Sequence, residues 1–202
     1  MPDTATFSQL IILASSLFLA GNSYRLSEKL NNTALMVISL AAAFISCSAA
    51  AALLLSGADQ DSITFRRMLD NLALYASIPL IASALLDLAH KFDWSKAAWG
   101  RWLLVLFALF ELCRRSEVGT EYSQLMSFLC AAVVIYSAIR FRSPSMGIIG
   151  SSAGLILGTS LLTFSDISLL PEASNDLFYS LSLALFLILI ALSLKGLNRT
   201  RV

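Results

Sequence analysis

Charge is what this chain has least of. Only 13% of its 202 residues are Asp, Glu, Lys or Arg, against about a quarter in a soluble domain. The formal net charge of +1 excludes the basic footprint of a nucleic-acid binder, so no nucleic-acid partner is expected. Histidine occurs once, as His90, and the three cysteines, Cys47, Cys113 and Cys130, are far apart with no CxxC spacing. That poverty excludes a paired-histidine haem site, a Cys/His zinc set and a disulfide framework. No cofactor and no metal is expected. There is no Walker A lysine motif and no GxGxxG, so nucleotide-driven chemistry would need a partner protein.

Apolar residues fill the space that charge vacates. They make up 57% of the chain, and the mean hydropathy is +0.77. A soluble fold of this size could not hide so many in its core and still cover itself with polar groups. The composition therefore predicts an all-α integral membrane protein. A bilayer core takes about 20 mostly apolar residues per helix. Seven such stretches lie near 7–24, 34–57, 69–89, 97–114, 121–140, 146–165 and 176–195, which predicts a seven-transmembrane-helix bundle. The links are short, so residues 1–202 read as a single polytopic domain. The first stretch lacks a basic segment before it and is expected to be an anchor, not a removed signal peptide.

Lysine and arginine set the expected orientation. With the N-terminus outside, the inner loops and tail hold Arg25, Lys29, Lys91, Lys96, Arg101, Arg140, Arg142, Lys195, Arg199 and Arg201. The outer side holds Arg66, Arg67, Arg114 and Arg115, together with most of the loop acids. The expected setting is a prokaryotic cytoplasmic (inner) membrane, with the C-terminus in the cytoplasm. Two Asn-x-Thr sequons, at Asn31 and Asn198, would then stay unmodified. Trp94, Trp99 and Trp102 cluster where span 4 begins and suit an interfacial aromatic belt.

Spans 1 and 5 share a pattern. Ser8-Gln9-Leu10 and Ser123-Gln124-Leu125 each precede an arginine at the same distance, Arg25 and Arg140. Spans 3 and 7 begin with Asp70-Asn71 and Asn175-Asp176 and continue to Tyr75 and Tyr179. Two parallel three-helix units, 7–89 and 121–195, joined by span 4 would make a 3+1+3 plan with a site near midplane between them. SWEET and PQ-loop transporters share that plan, but no Pro-Gln dipeptide occurs here. The run Tyr75-Ala76-Ser77-Ile78-Pro79-Leu80 with Asp87 faintly resembles the third helix of microbial rhodopsins. Span 7, however, has no interior lysine for a retinal Schiff base, since Lys195 lies at its boundary. The residues assign the chain to neither family.

Polar residues at membrane depth are few and are functional suspects. Gln9, Asn22, Tyr75, Ser83 and Gln124, with Pro79 to kink span 3, are the candidates for a solute pathway. Asp70, Glu111, Arg114 and Arg115 are the candidates for a mixed-charge outer vestibule, drawing on the i,i+4 pairs Arg66–Asp70 and Glu111–Arg115. Asp87 and Lys91 have the same spacing. Span 6 carries Gly150, Gly154 and Gly158 on one face, and span 2 is rich in alanine and serine, so both are expected to pack closely. That contact could lie inside the bundle or against a homo-oligomer or membrane-complex partner. Gly150-Ser151-Ser152-Ala153-Gly154 also resembles the nucleophile segment of rhomboid-type intramembrane proteases. It raises a Ser152–His90–Asp87 hydrolase alternative, with Ser152 roughly 9 Å deep by helix rise. The reading that uses most of these features is a non-enzymatic transporter or channel-like protein for a small solute in the lipid bilayer. A non-catalytic subunit, scaffold or sensor is the alternative.

Overall fold

The computed structural model describes residues 2–55, 59–116, 119–141, 144–164 and 175–200, and only the backbone at 2, 3, 114, 144–146, 164 and 197–200. Among the described residues there are helices and no strands. Seven rods follow one another: α1 Pro2–Leu30, α2 Thr33–Leu54, α3 Gln60–His90, α4 Lys96–Arg115, α5 Gly119–Arg140, α6 Pro144–Thr159 and α7 Asp176–Thr200. Alpha-helix gives way to π-helix at Leu72–Ser77 within α3, and α6 ends in a π-helical turn, Ser160–Phe164.

Five of the rods, α1, α2, α3, α5 and α7, are long and apolar enough to cross a membrane. The other two fall short of that measure. Rod α4 carries Lys96, Arg101, Glu111, Arg114 and Arg115, and the apolar part of α6 is the shorter stretch Gly147–Thr163. Rod α3 starts at Gln60, well before the apolar stretch at 69, because its first turns are amphipathic and hold Asp61, Arg66, Arg67 and Asp70. Hydropathy alone hides such a leader.

Side-chain caps set several helix starts. Asn32 accepts from the Leu35 amide, Asp59 from Ser62, Ser95 from Ala98, and Asn175 from Leu177 and Phe178. Each satisfies donors that the first turn leaves orphaned. The α3–α4 link is tied inward by Asp87, whose carboxylate accepts from the Trp94 amide at 3.3 Å. The expected Asp87–Lys91 ion pair is not made. Lys91 adopts a left-handed backbone and donates its own amide to the Asp87 carbonyl, which ends the helix there.

Six of the rods pack as a ring. Rod α1 packs on α2, α2 on α3, α3 on α5, α5 on α6, α6 on α7, and α7 back on α1. Rod α4 lies against α3 and α5 from outside this circuit. Cross-links between equivalent depths show that α1 and α7 run parallel (Asn22 to the Ala191 carbonyl, 3.1 Å), as do α3 and α5 (Ser123 to Tyr75, 3.2 Å; His90 to Tyr136, 3.3 Å). One end of the bundle holds the first residues of α1, α3, α5 and α7 and many of the acids. The opposite end holds Arg25, Lys29, Lys91, Lys96 and Arg140. These are the acidic and basic ends of the bundle.

The core draws fully buried side chains from around the ring, including Leu19, Ile38, Ile81, Leu157 and Phe186. Small and large apolar residues share the interior, and other large ones cover the outside. On α2, Ala34, Ala41, Ala42 and Ala49 are buried while Met36, Leu40 and Leu54 are exposed. An apolar exterior suits packing in lipid, where apolar side chains gain nothing by hiding from the solvent.

The glycine face of α6 is spent inside the chain, against α5. A Cβ at Gly150 would sit 2.7 Å from the Ala138 Cβ, and one at Gly154 would sit 2.6 Å from Ile135 Cγ1 and 3.1 Å from its amide nitrogen. At Gly158 the Ala131 Cβ would be 3.2 Å away. Backbone cannot step aside as a flexible side chain can. Gly154→Val is therefore expected to lower stability by about 1–3 kcal/mol, the usual cost of overpacking. Gly21→Ala, where a Cβ meets nothing within 4 Å, should be neutral or slightly stabilising. Thermal unfolding of both variants in one detergent checks the contrast.

Candidate functional site

Serine supplies nearly all of the buried polarity. Among the described residues, the buried polar or charged side chains are serines and one carboxylate, Asp87. Most serines bend back on their own helix: Ser8 to the Thr4 carbonyl, Ser15 to Ile12, Ser127 to Ser123, Ser137 to Val133 and Ser193 to Ile190. A hydroxyl satisfied by the preceding turn needs no neighbour or water. Some also bridge helices. Ser46 donates to Ser16 at 2.8 Å, and Ser182 to Ser160 at 2.8 Å.

Against this sealed interior one cavity stands out, of about 330 Å³, between α1, α2, α3 and α7 toward the acidic end. Its polar lining is Ser8 and Gln9 from α1, Ser48 from α2, Asp70 from α3, and Asp176, Tyr179 and Ser180 from α7. Its floor and walls are apolar, with Ile12, Ile45, Leu74, Ile78 and Leu183. Among the described residues, no lysine or arginine lines it. Asp70 is held by Ser48, which donates to its Oδ1 at 2.6 Å, and not by Arg66. The i,i+4 ion pair that the spacing suggested is absent, and the Arg66 Nε is buried without a partner. The carboxylate has turned toward α2 and the cavity.

The Tyr75–Pro79 region is different. It borders a void of only about 10 Å³, lined also by Ser123, Ser127 and Cys130, room for one water at most. Tyr75 stacks on Phe110, with ring centroids 3.9 Å apart, and its hydroxyl accepts from Ser123. Pro79 is buried just beyond the π-helical segment. A proline there removes its own amide and crowds the carbonyl four residues earlier, at Tyr75. The wider π turn absorbs this, with the Ser77 hydroxyl on the Leu72 carbonyl at 3.2 Å. The expected kink thus takes the form of a π bulge, a feature frequent at functional sites.

The remaining pathway candidates are divided. Gln9 lines the cavity, whereas Gln124 does not. Asn22 is committed to the Ala191 carbonyl, joining α1 to α7. Ser83 donates to the Pro79 carbonyl at 2.7 Å and accepts from the Trp102 indole at 3.2 Å, holding α4 on α3. The vestibule residues do not converge either. Asp70 belongs to the cavity, while Glu111 pairs with Arg115 at 2.8 Å on α4, outside the ring. The Arg114 side chain lies outside the described residues.

The hydrolase geometry is not assembled. Ser152 donates to the Ile149 carbonyl at 2.8 Å. His90 has the Leu86 carbonyl at 3.2 Å and the Tyr136 hydroxyl at 3.3 Å, and its ring stacks with Phe92 and Tyr136. Asp87 is committed to the Trp94 amide. The three residues are not linked to one another by hydrogen bonds, because α3 presents His90 to α5 whereas the α6 serine folds onto its own backbone.

Sequence reasoning named Asp70 and Gln9 but left Asp176, Tyr179, Ser8, Ser48 and Ser180 out of the pathway. Five of the cavity's positions carried a signal all the same. Ser8, Gln9, Asp70, Asp176 and Tyr179 belong to the repeated pattern. Ser48 and Ser180 had no such mark among the many serines of apolar helices.

No protein family, no characterised protein and no solved structure matches the chain. The geometry must carry the reading alone. In a cysteine-free background, Gln9→Cys and Ser48→Cys are expected to react with a charged thiol reagent roughly tenfold faster than Ser127→Cys at the small void. Equal rates would mean that the cavity is closed to water.

Proposed function

We propose that this chain is a seven-helix integral membrane protein that binds a small polar solute, preferably a cation such as an amine, and moves it across the bilayer. The single observation that carries this reading is the 330 Å³ cavity with Asp70 and Asp176 in its lining and, among the described residues, no cationic side chain. A volume of that size matches a small-molecule site. Two carboxylates on a partly apolar wall favour an ammonium group with a short hydrocarbon body.

The ring supports a mechanism of alternating access. Units α1–α3 and α5–α7 meet at two parallel joins, α3 with α5 and α7 with α1. Three of the cavity's walls belong to the first unit and the fourth, α7, to the second. Rocking one unit on the other would open or close the space between them. The π-helical segments in α3 and α6 lie in the half of the bundle where that motion needs a compliant backbone. In this reading α4 and α6 also cross the membrane. The glutamate–arginine pair of α4 lies at the acidic end, which faces outward by the lysine and arginine count, and the C-terminus lies in the cytoplasm of a prokaryotic cell.

The test is a panel of alkylamines, quaternary ammonium ions, carboxylates and neutral polyols, added to purified protein during thermal unfolding. A true ligand at about 100 times its Kd should add about 2.7 kcal/mol of stability. Amines and ammonium ions are expected to do so, and Asp70→Asn or Asp176→Asn to weaken them about tenfold or more. Uptake of the best binder into proteoliposomes then separates transport from binding. Binding without flux would leave a sensor. No response to any compound would leave the non-catalytic subunit or scaffold in its place.

A further inference from the structure

A second concave surface lies on the outside of the ring, near the basic end. Rods α2 and α4 both run away from that end, and between them lies a groove of about 180 Å³ floored by Leu80 of α3. Its walls are Met36 and Leu40 on α2 and Trp99 and Leu103 on α4. The polarity is confined to the start. Thr33 and Lys96, the first residues of their helices, line the same end of the groove. From Lys96 to Leu103, and from Thr33 to Leu40, the groove extends roughly 10 Å along the helix axes by helix rise.

Two independent observations fix the depth and the charge of the mouth. Trp94, Trp99 and Trp102 cluster there, with Trp94 5.0 Å from Trp99 and 6.4 Å from Trp102 between ring centroids. Amphipathic rings of this kind sit at headgroup level in a bilayer. The exposed Lys91 and Arg101 stand near Lys96 in the chain, against one exposed acid, Asp93. The Thr33 hydroxyl is already committed to the Trp94 carbonyl at 2.7 Å, so it draws α2 and the α4 approach together and leaves Lys96 as the group free for a ligand. Gly100 keeps the slot open, since a Cβ there meets nothing within 4 Å.

We infer that this groove retains one acyl chain of an anionic phospholipid, with the headgroup phosphate at Lys96. An apolar slot that begins at a lysine and an aromatic belt has the polarity of a phospholipid, head first and tail inward. A second protein helix would not need the cation at one end only. The site is separate from the solute cavity, which lies toward the opposite end of the bundle.

Native mass spectrometry of the purified protein, with phosphatidylglycerol or phosphatidylcholine of identical chains, tests this directly. Phosphatidylglycerol should be retained at least several-fold better. Lys96→Gln should abolish that preference while leaving residual binding of both lipids. Gly100→Leu should fill the slot and remove both adducts, while its unfolding temperature stays near that of the parent because the added Cβ meets nothing within 4 Å. Glycerol phosphate without chains should fail to displace the lipid. Equal retention of the two lipids, an unchanged preference in Lys96→Gln, undiminished adducts in Gly100→Leu, or displacement by glycerol phosphate would each overturn the proposal.

Discussion

Most polar side chains buried in this bundle find a protein partner, and that constraint shapes the rest. An unpaired amide or hydroxyl in apolar surroundings costs several kcal/mol by transfer measures. Helices satisfy the backbone within each segment, and most inward serines are satisfied by the turn before them. The interior can therefore be both polar in composition and closed to solvent. Where a carbonyl or hydroxyl is left over, it is used to join rods, as in Asn22 to Ala191, Ser46 to Ser16 and Trp102 to Ser83.

The second shaping force is close approach. Glycines on α6 let α5 come within a distance that no Cβ would permit, and the buried alanines of α2 serve the same end against α1 and α3. In a bilayer, dispersion between closely fitted backbones would supply the attraction that the hydrophobic effect supplies in water. Six rods built this way close into a ring. Rod α4, with charges at both ends and large exposed residues between them, stays outside and is held by a few specific contacts with α3 and α5. That exclusion leaves the groove between α2 and α4.

Much of this architecture was legible in the residues. The seven helices and their order can be read directly, because length and hydropathy are local properties, although only five prove long and apolar enough to cross a membrane. The glycine face of α6 and the proline of α3 were legible as packing and bending features. The form of the bend was not, since a π bulge depends on how Tyr75 and Ser77 resolve the clash in three dimensions. Spacing also misled where charges were concerned. Arg66–Asp70, Asp87–Lys91 and Glu111–Arg115 share one interval, yet only the last forms an ion pair, because Asp70 and Asp87 have stronger claims from Ser48 and the Trp94 amide.

Composition by itself determined the kind of molecule. So little charge and so many apolar residues predict apolar helices of membrane-spanning length, and five of the rods reach it. Only the tertiary structure decided where space remains. Gln9 and Gln124 are equivalent in the chain, but just one of them meets the cavity. Tyr75 and Tyr179 are equivalent too, yet one is locked in a stack and the other lines the opening. Which of two like residues is buried and which is available depends on the rods beside it. That neighbourhood is set by ring closure between helices far apart in sequence, so no local pattern encodes it.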